Sequence, residues 1–312
     1  MIDLIRRLKL AYSAYNFFHR KELIHNVYAF KKLGLSKKYY SPISSKDFNQ
    51  VDYQPSPDSR FSLSNSSLYT NASDEDKKSI AGFDEKGYCI LRSYLPGEAA
   101  DRVNGEISTL LTEGKVKVGY GGKIMFAIHA SALLREISGN KNLIDLLSVL
   151  LKGQAILFQS INFTRGSEQA SHSDSIHMTT YPLGGLLGVW IALEDIDEDN
   201  GPLHYYPGSH KLPYYLNADY DNEGNRFLIG NKSYKVYEEM MREKISDLGL
   251  KKEIFKAKKG DLLIWHANLF HGGEPHANKN RTRKSMVLHY FKEHSICYHE
   301  ITQRPALIKK FS

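Results

Sequence analysis

Two cysteines in 312 residues, Cys89 and Cys297, cannot make a disulfide framework, and they read as buried thiols in a reducing compartment. Long apolar runs are also missing. No stretch approaches the roughly 20 residues that a bilayer crossing needs. The start, Met1 to Lys9, is broken by Asp3, Arg6, Arg7 and Lys9 before a secretory apolar segment can build up. The expected location is the cytoplasm. No internal repeat is visible, which argues against solenoids and propellers. No recognised nucleic-acid motif accompanies the positive charge. The acidic run Glu194, Asp195, Asp197, Glu198 and Asp199 lacks the spaced ligands of an EF-hand loop and reads as a solvated turn.

The net charge of +7 is concentrated at one end. Residues 1–40 hold Arg6, Arg7, Lys9, Arg20, Lys21, Lys31, Lys32, Lys37 and Lys38 against Asp3 and Glu22, nine minus two, which equals the whole excess. Leu4, Ile5, Leu8, Tyr12, Tyr15 and Phe18 recur at helical spacing. The pattern predicts an amphipathic helix packed on the main domain by its apolar face, with the lysines solvated. Contact between residues 1–40 and a membrane surface is the other use such a helix has. Residues 41–75, rich in Ser, Asn, Asp and Pro, read as an irregular connector, so residues 1–75 form a basic extension ahead of a domain at 76–312.

Within that domain helices come first and strands afterwards. Asp74–Ile80 reads as a short helix and Gly87–Leu91 as a compact apolar strand. A helix opens at Leu95-Pro96-Gly97 and runs through Ile107, Leu110 and Leu111, and another covers 143–151 before Lys152-Gly153. From residue 155 onward, apolar strands are expected at 155–158 into 161–163, 186–193, 203–206, 262–265 and 285–291. The insert at 214–255, with a helix expected from Tyr234 to Ser246, reads as a lid. The sum is a mainly β fold with flanking helices, a double-stranded β-helix of the jelly-roll, cupin-like kind.

His172-Ser173-Asp174 carries the chemistry. On an extended backbone, side chains two residues apart leave from one face, so His172 and Asp174 can grip one ion while Ser173 points away. Two imidazoles and a carboxylate suit ferrous iron with coordination positions left open. The third ligand must come from a strand lying across the barrel. His271, before Gly272-Gly273, is preferred for it, and His266, directly after Trp265, is the rival. Arg283 lies on the strand that follows and can offer a planar fork to a carboxylate, with Arg281 as a nearby alternative. His177, three residues after Asp174, would face the opposite way on an extended chain, so a structural or substrate-facing role is expected for it rather than ligation.

These blocks occur in an order that resembles the phytanoyl-CoA dioxygenase family of iron(II)- and 2-oxoglutarate-dependent oxygenases. They are Ser171–Asp174, Val189–Asp197, Asn200–Leu203, Pro207–Lys211, Gly260–Gly272 and Arg283-Lys284, within roughly residues 80–295. The resemblance implies His172, Asp174 and His271 as iron ligands, Arg283 as partner of the distal carboxylate of 2-oxoglutarate, and contacts to that co-substrate from Trp190, Lys123 and Asn162. It implies iron(II), 2-oxoglutarate and O2 as cofactor and co-substrates, and a small-molecule or conjugated metabolite as substrate. Ser173 departs from the glutamine frequent at that position. Because Asp174 is a carboxylate, the resemblance favours C–H hydroxylation over halogenation, with a cupin-like metal-binding protein lacking oxygenase activity as the alternative.

Overall fold

Alternation along the strands decides which side chains meet the helices and which reach the interior. In the computed structural model, which describes residues 6–49, 51, 53 and 58–309, twelve strands are formed. They are β1 (Tyr88–Leu91), β2 (Lys123–Met125), β3 (Ala155–Phe163), β4 (Thr179–Tyr181), β5 (Leu186–Ala192), β6 (Leu203–Tyr205), β7 (Glu253–Phe255), β8 (Leu262–His266), β9 (His271–Gly273), β10 (Ser285–Lys292), β11 (Ile296–His299) and β12 (Arg304–Pro305). A six-stranded sheet has the order β1-β8-β5-β10-β3-β2, and its pairs are antiparallel. Two three-stranded sheets, β7-β6-β9 and β12-β11-β4, complete the double-stranded β-helix.

One face of the large sheet presents Cys89, Val189, Ile191, Leu262, Ile264, Met286 and Leu288 to a helical layer. That layer is supplied by the helices Gly97–Thr112 and Lys141–Leu150, whose Ala100, Val103, Ile107, Leu143, Leu146 and Leu147 recur at three- and four-residue steps. The opposite face presents Tyr88, Ile161, Phe163, Trp190, Leu263, Trp265 and Val287 to the interior. Residues of even and odd number on one strand thus serve two different cores. Because the central strands β5 and β8 are covered on both sides, they read as nearly continuous apolar runs. Cys89 and Cys297 are free, buried thiols.

The N-terminal segment departs from expectation. A helix does form, at Lys9–Phe18, but it presents Asn16 to the protein and turns Leu10 and Phe18, 79% and 78% exposed, to solvent. The Asn16 amide donates to the carbonyl of Tyr40 at 3.0 Å, which fixes that polar face inward. Helical spacing is the same for either face, so periodicity alone does not tell which one is buried. Leu4 and Ile5 lie outside the described residues. The following helix, Asn26–Lys32, is anchored by Ala29 and Phe30, which pack with Ile43, Phe48, Ile296 and Tyr298 on the outer face of β11. Among the described residues no helix is long and apolar enough to cross a membrane.

The insert between β6 and β7 contains the helix Tyr234–Asp247. Its Tyr237 and Met241 are fully buried with Ile176, Tyr206 and Phe270.

Candidate metal centre

Ser173 is extended (φ −104°, ψ 147°), so His172 and Asp174 leave the chain on the same side, and the Ser173 side chain goes the other way, 3.4 Å from the Tyr237 hydroxyl. His271 does not come from across the barrel. It sits on the adjacent strand, directly opposite His172 in an antiparallel bridge in which each backbone N–H donates to the other's carbonyl at 2.9 Å. The two imidazoles are thereby neighbours, 4.6 Å between ring centres.

Their tautomers follow from their partners. His172 Nδ1 lies 2.9 Å from the Ala170 carbonyl, and His271 Nδ1 lies 2.9 Å from the Leu269 carbonyl. A carbonyl only accepts, so both Nδ1 atoms carry a proton, which leaves Nε2 of each ring as the atom that can ligate a metal. Each Nε2 lies 3.7 Å from Asp174 Oδ1. Burial, together with His271, pushes the His172 imidazolium far below its ordinary range. Burial alone would raise the Asp174 carboxyl, but His271, His289 and His172 together hold it well below the usual carboxylate range. The other carboxylate oxygen, Oδ2, accepts from the Trp265 indole N–H at 2.8 Å and lies 3.5 Å from His289 Nε2.

His172, Asp174 and His271 each offer one ligand atom, and these atoms lie within 4.8 Å of one another. Two imidazoles and a carboxylate gathered at one point, each histidine with Nε2 turned inward, form a donor set that fits iron(II).

The triad opens on a cavity of about 240 Å³. Arg283 lines the same cavity. It is 2% exposed, its Nη1 donates to the Gly201 carbonyl at 2.7 Å, and its Nε finds no partner. No carboxylate among the described residues pairs with it, and burial pulls it down to about 10, which leaves it charged at neutral pH. A buried cation with an unused N–H is chemically suited to a ligand carboxylate. The guanidinium is closely held: a Cβ on Gly166 would stand 2.5 Å from Nε. Arg281, by contrast, pairs with Asp197 at the surface.

Trp190 and Lys123 line the cavity. Burial lowers the Lys123 ammonium, with Asp174 acting in the opposite direction. Asn162 does not line it. On β3 the cavity-facing residues are Gln159, Ile161 and Phe163, so alternation turns Asn162 toward the helical core, where neither end of its amide has a partner. His266 is likewise turned away from the cavity by its position next to Trp265 on β8, and its Nδ1 accepts from the Asn268 N–H at 3.1 Å.

His177 is placed differently from the extended-chain expectation. The chain turns into a 3-10 helix at Asp174–Ile176, which brings His177 back to the cavity, its ring centre 5.6 Å from that of His172. Burial pushes His177 and His299 down to about 4 each, so both are neutral hydrogen-bonding walls. His289 also lines the site. Its position was readable: it shares strand parity with Arg283 and Val287, and all three face inward. Gln159, Gln169 and His299 carried no comparable signal.

Fold and site together define a jelly-roll oxygenase of the non-haem iron, 2-oxoglutarate-dependent class. Among solved structures, the carbocyclase SnoK from nogalamycin biosynthesis is similar at 15% identity, with a TM-score of 0.57 over 74% of this chain and 88% of that one. EctD from S. alaskensis, crystallised with 2-oxoglutarate and 5-hydroxyectoine, is similar at 18% identity and a TM-score of 0.56, over 77% of this chain and 82% of that one. The chain belongs to the phytanoyl-CoA dioxygenase family, whose profile matches residues 83–285. A Caenorhabditis elegans homolog of phytanoyl-CoA dioxygenase domain-containing protein 1 is 22% identical over 86% of this chain and 85% of its own length. The Danio rerio protein of that name is 33% identical over 93 residues, which span 28% of this chain and 32% of the relative.

Proposed function

We propose that this dioxygenase hydroxylates an unactivated C–H bond of a polar small molecule or conjugated metabolite. The observation that carries the reading is Asp174, a carboxylate that completes the ligand set beside a largely apolar cavity with several polar groups in its walls. With all three ligand positions supplied by side chains, no place is left vacant in the set for a halide. His172, Asp174 and His271 would hold iron(II), and Arg283 would hold the distal carboxylate of 2-oxoglutarate. When bound, iron with 2-oxoglutarate and O2 supplies the oxidant: the C–H becomes C–OH, and 2-oxoglutarate leaves as succinate and CO2.

The protein's own contribution is placement and dryness. The Trp265 indole N–H holds Asp174 from behind through Oδ2, and Oδ1 faces His172 and His271. Ile161, Phe163, Leu203 and Val287 form apolar lining that keeps water from the site. Gln159, Gln169, His177 and His299 offer neutral hydrogen-bonding groups, and Lys123 offers a positive charge. This mixture favours a substrate with hydroxyl, amide or anionic groups over a bare hydrocarbon.

Two measurements test the reading. Anaerobic addition of iron(II) and 2-oxoglutarate should produce a weak visible charge-transfer band that is absent from an Asp174→Ala/His271→Ala double variant. Succinate release should then rise when a metabolite panel contains the substrate. A band with no stimulated turnover across a broad panel supports the alternative, a metal-binding cupin-like protein.

A further inference from the structure

The helix Lys9–Phe18 is built inside out for a surface helix. Its protein-facing side carries Asn16, and its solvent side carries Leu10, Ala14, Phe17 and Phe18, at spacings of four, three and one. The chain continues in the same sense: Leu23, Ala29 and Phe30 are buried anchors, while Ile24, Val27 and Tyr28 are 63%, 40% and 52% exposed. Phe227, 68% exposed, lies beside the start of the helix, because its carbonyl accepts from the Lys9 N–H at 2.9 Å. Single exposed apolar residues are ordinary, but a run of large ones along one face marks a surface that something covers.

The charge around this face indicates what covers it. Arg20, Lys21, Lys31 and Lys32 are exposed, and no carboxylate among the described residues pairs with any of them. The Arg20 guanidinium lies over the Phe17 ring, 4.5 Å from its centre, so cation and apolar surface are interleaved. Glu22 is the one acidic residue between positions 6 and 46. A second copy of the chain is a poor occupant, because a two-fold contact would set the same cations against each other. An anionic phospholipid surface satisfies both parts: acyl chains take up the aromatic and aliphatic side chains, and headgroup phosphates take up the cations.

We propose that the outward face of residues 9–28, with its flanking cations, docks this dioxygenase on anionic phospholipid membranes. The docked segment is fixed to the catalytic domain. Ala29 and Phe30 pack on Ile296 and Tyr298 of β11, and the alternate residue His299 of that strand lines the active cavity. Docking therefore orients the catalytic domain through the sheet that walls its own site. The inference does not depend on which C–H bond is oxidised.

The test is flotation of the full chain with phosphatidylcholine vesicles, with or without about a quarter phosphatidylserine. Two variants are compared at equal thermal stability: Leu10→Glu/Phe18→Glu, which breaks the apolar face, and Arg20→Glu/Lys21→Glu, which reverses two cations. All four positions are exposed, so neither variant should unfold the domain. The expected result is binding to the anionic vesicles that high salt weakens, with roughly tenfold or greater loss in the charge variant. The apolar variant should lose binding even at low salt. Three results would overturn the proposal: no binding to anionic vesicles at low salt, binding indifferent to both variants, or a concentration-dependent dimer abolished by Leu10→Glu/Phe18→Glu without vesicle binding. Charge-transfer spectra of the same samples, unchanged in the variants, keep this result separate from the assignment of the metal centre.

Discussion

His172 and His271 face each other across one antiparallel bridge, and each donates its backbone N–H to the other's carbonyl at 2.9 Å. The histidine pair that would hold the metal is therefore also the hydrogen-bonded join between the 170–174 segment and β9. A cation bound there ties the two segments together a second time. Metal at about 100 times its dissociation constant adds about 2.7 kcal/mol of stability. For a chain of this size that amounts to a rise of several degrees in melting temperature. Anaerobic scanning calorimetry with and without iron(II) or manganese(II) should show the rise, and His271→Ala should abolish it while keeping the backbone bridge. An equal rise in His271→Ala would place the metal elsewhere.

Trp265 holds Asp174 from behind through its 2.8 Å indole hydrogen bond, and a Cβ on Gly188, the residue paired with it on β5, would stand 2.3 Å from the indole. Trp265→Phe keeps an aromatic ring and removes the donor. Iron affinity should fall about 10- to 100-fold, the usual effect of losing a partner of a metal ligand, while Arg283 is untouched. Iron titration at saturating 2-oxoglutarate measures the loss. An unchanged affinity would leave Trp265 as packing alone.

Arg283 carries the opposite prediction. Lysine at this position keeps the charge but loses the planar fork, so Arg283→Lys should raise the KM for 2-oxoglutarate by about one to two orders of magnitude, worth roughly 1.5–3 kcal/mol for a charged hydrogen bond. Iron binding without 2-oxoglutarate should stay as in the parent chain. Gly166→Ala should move the same constant in the same direction, because its methyl would stand 2.5 Å from Arg283 Nε. Parent-like 2-oxoglutarate kinetics in both variants would remove Arg283 from the co-substrate site.

How far the sequence leads depends on whether the physics is local. His172 and Asp174 were readable because a two-residue spacing on extended backbone has one geometric meaning, and Arg283 because ordered blocks fixed its context. The pairing of His172 with His271 was not readable, since it depends on which strand ends as the neighbour of the 170–174 segment. His177 was legible as a residue outside the ligand set but not in direction, because a single 3-10 turn after Asp174 reverses strand parity. The N-terminal helix was legible as a helix and illegible in orientation, since the face that is buried is set by the Tyr40 carbonyl some two dozen residues away.

Asn162 separates a core role from a co-substrate role. Both ends of its amide are buried without a partner, on the β3 face that meets the helical layer. Such a group costs about 1–3 kcal/mol, and an apolar side chain of similar size does not incur that cost. Asn162→Leu should therefore raise the unfolding free energy by about 1 kcal/mol or more and leave the KM for 2-oxoglutarate unchanged. Chemical denaturation and initial-rate kinetics on the same preparation test both halves, and a raised KM would return Asn162 to the co-substrate site.

Glu300 ties the N-terminal segment to the barrel, accepting from the Ser45 hydroxyl at 2.7 Å and the Ser45 N–H at 3.0 Å. Burial raises its carboxyl above the ordinary glutamate value, and the hydrogen bonds from Ser45 and Asn217 only partly oppose this. The folded chain therefore holds this proton more tightly than the unfolded chain does. The contribution is fully present below the ordinary glutamate value and is lost as pH rises through the raised one, where the folded protein must bury a carboxylate. Glu300→Gln cannot ionise, so its melting temperature relative to the parent should become more favourable as pH rises from the ordinary glutamate value through the raised one, and level off above it. Thermal melts across that range measure the difference directly. A difference that is flat with pH, or that turns against the variant as pH rises, would mean that Glu300 is already ionised in the fold, with Ser45 and Asn217 outweighing its burial.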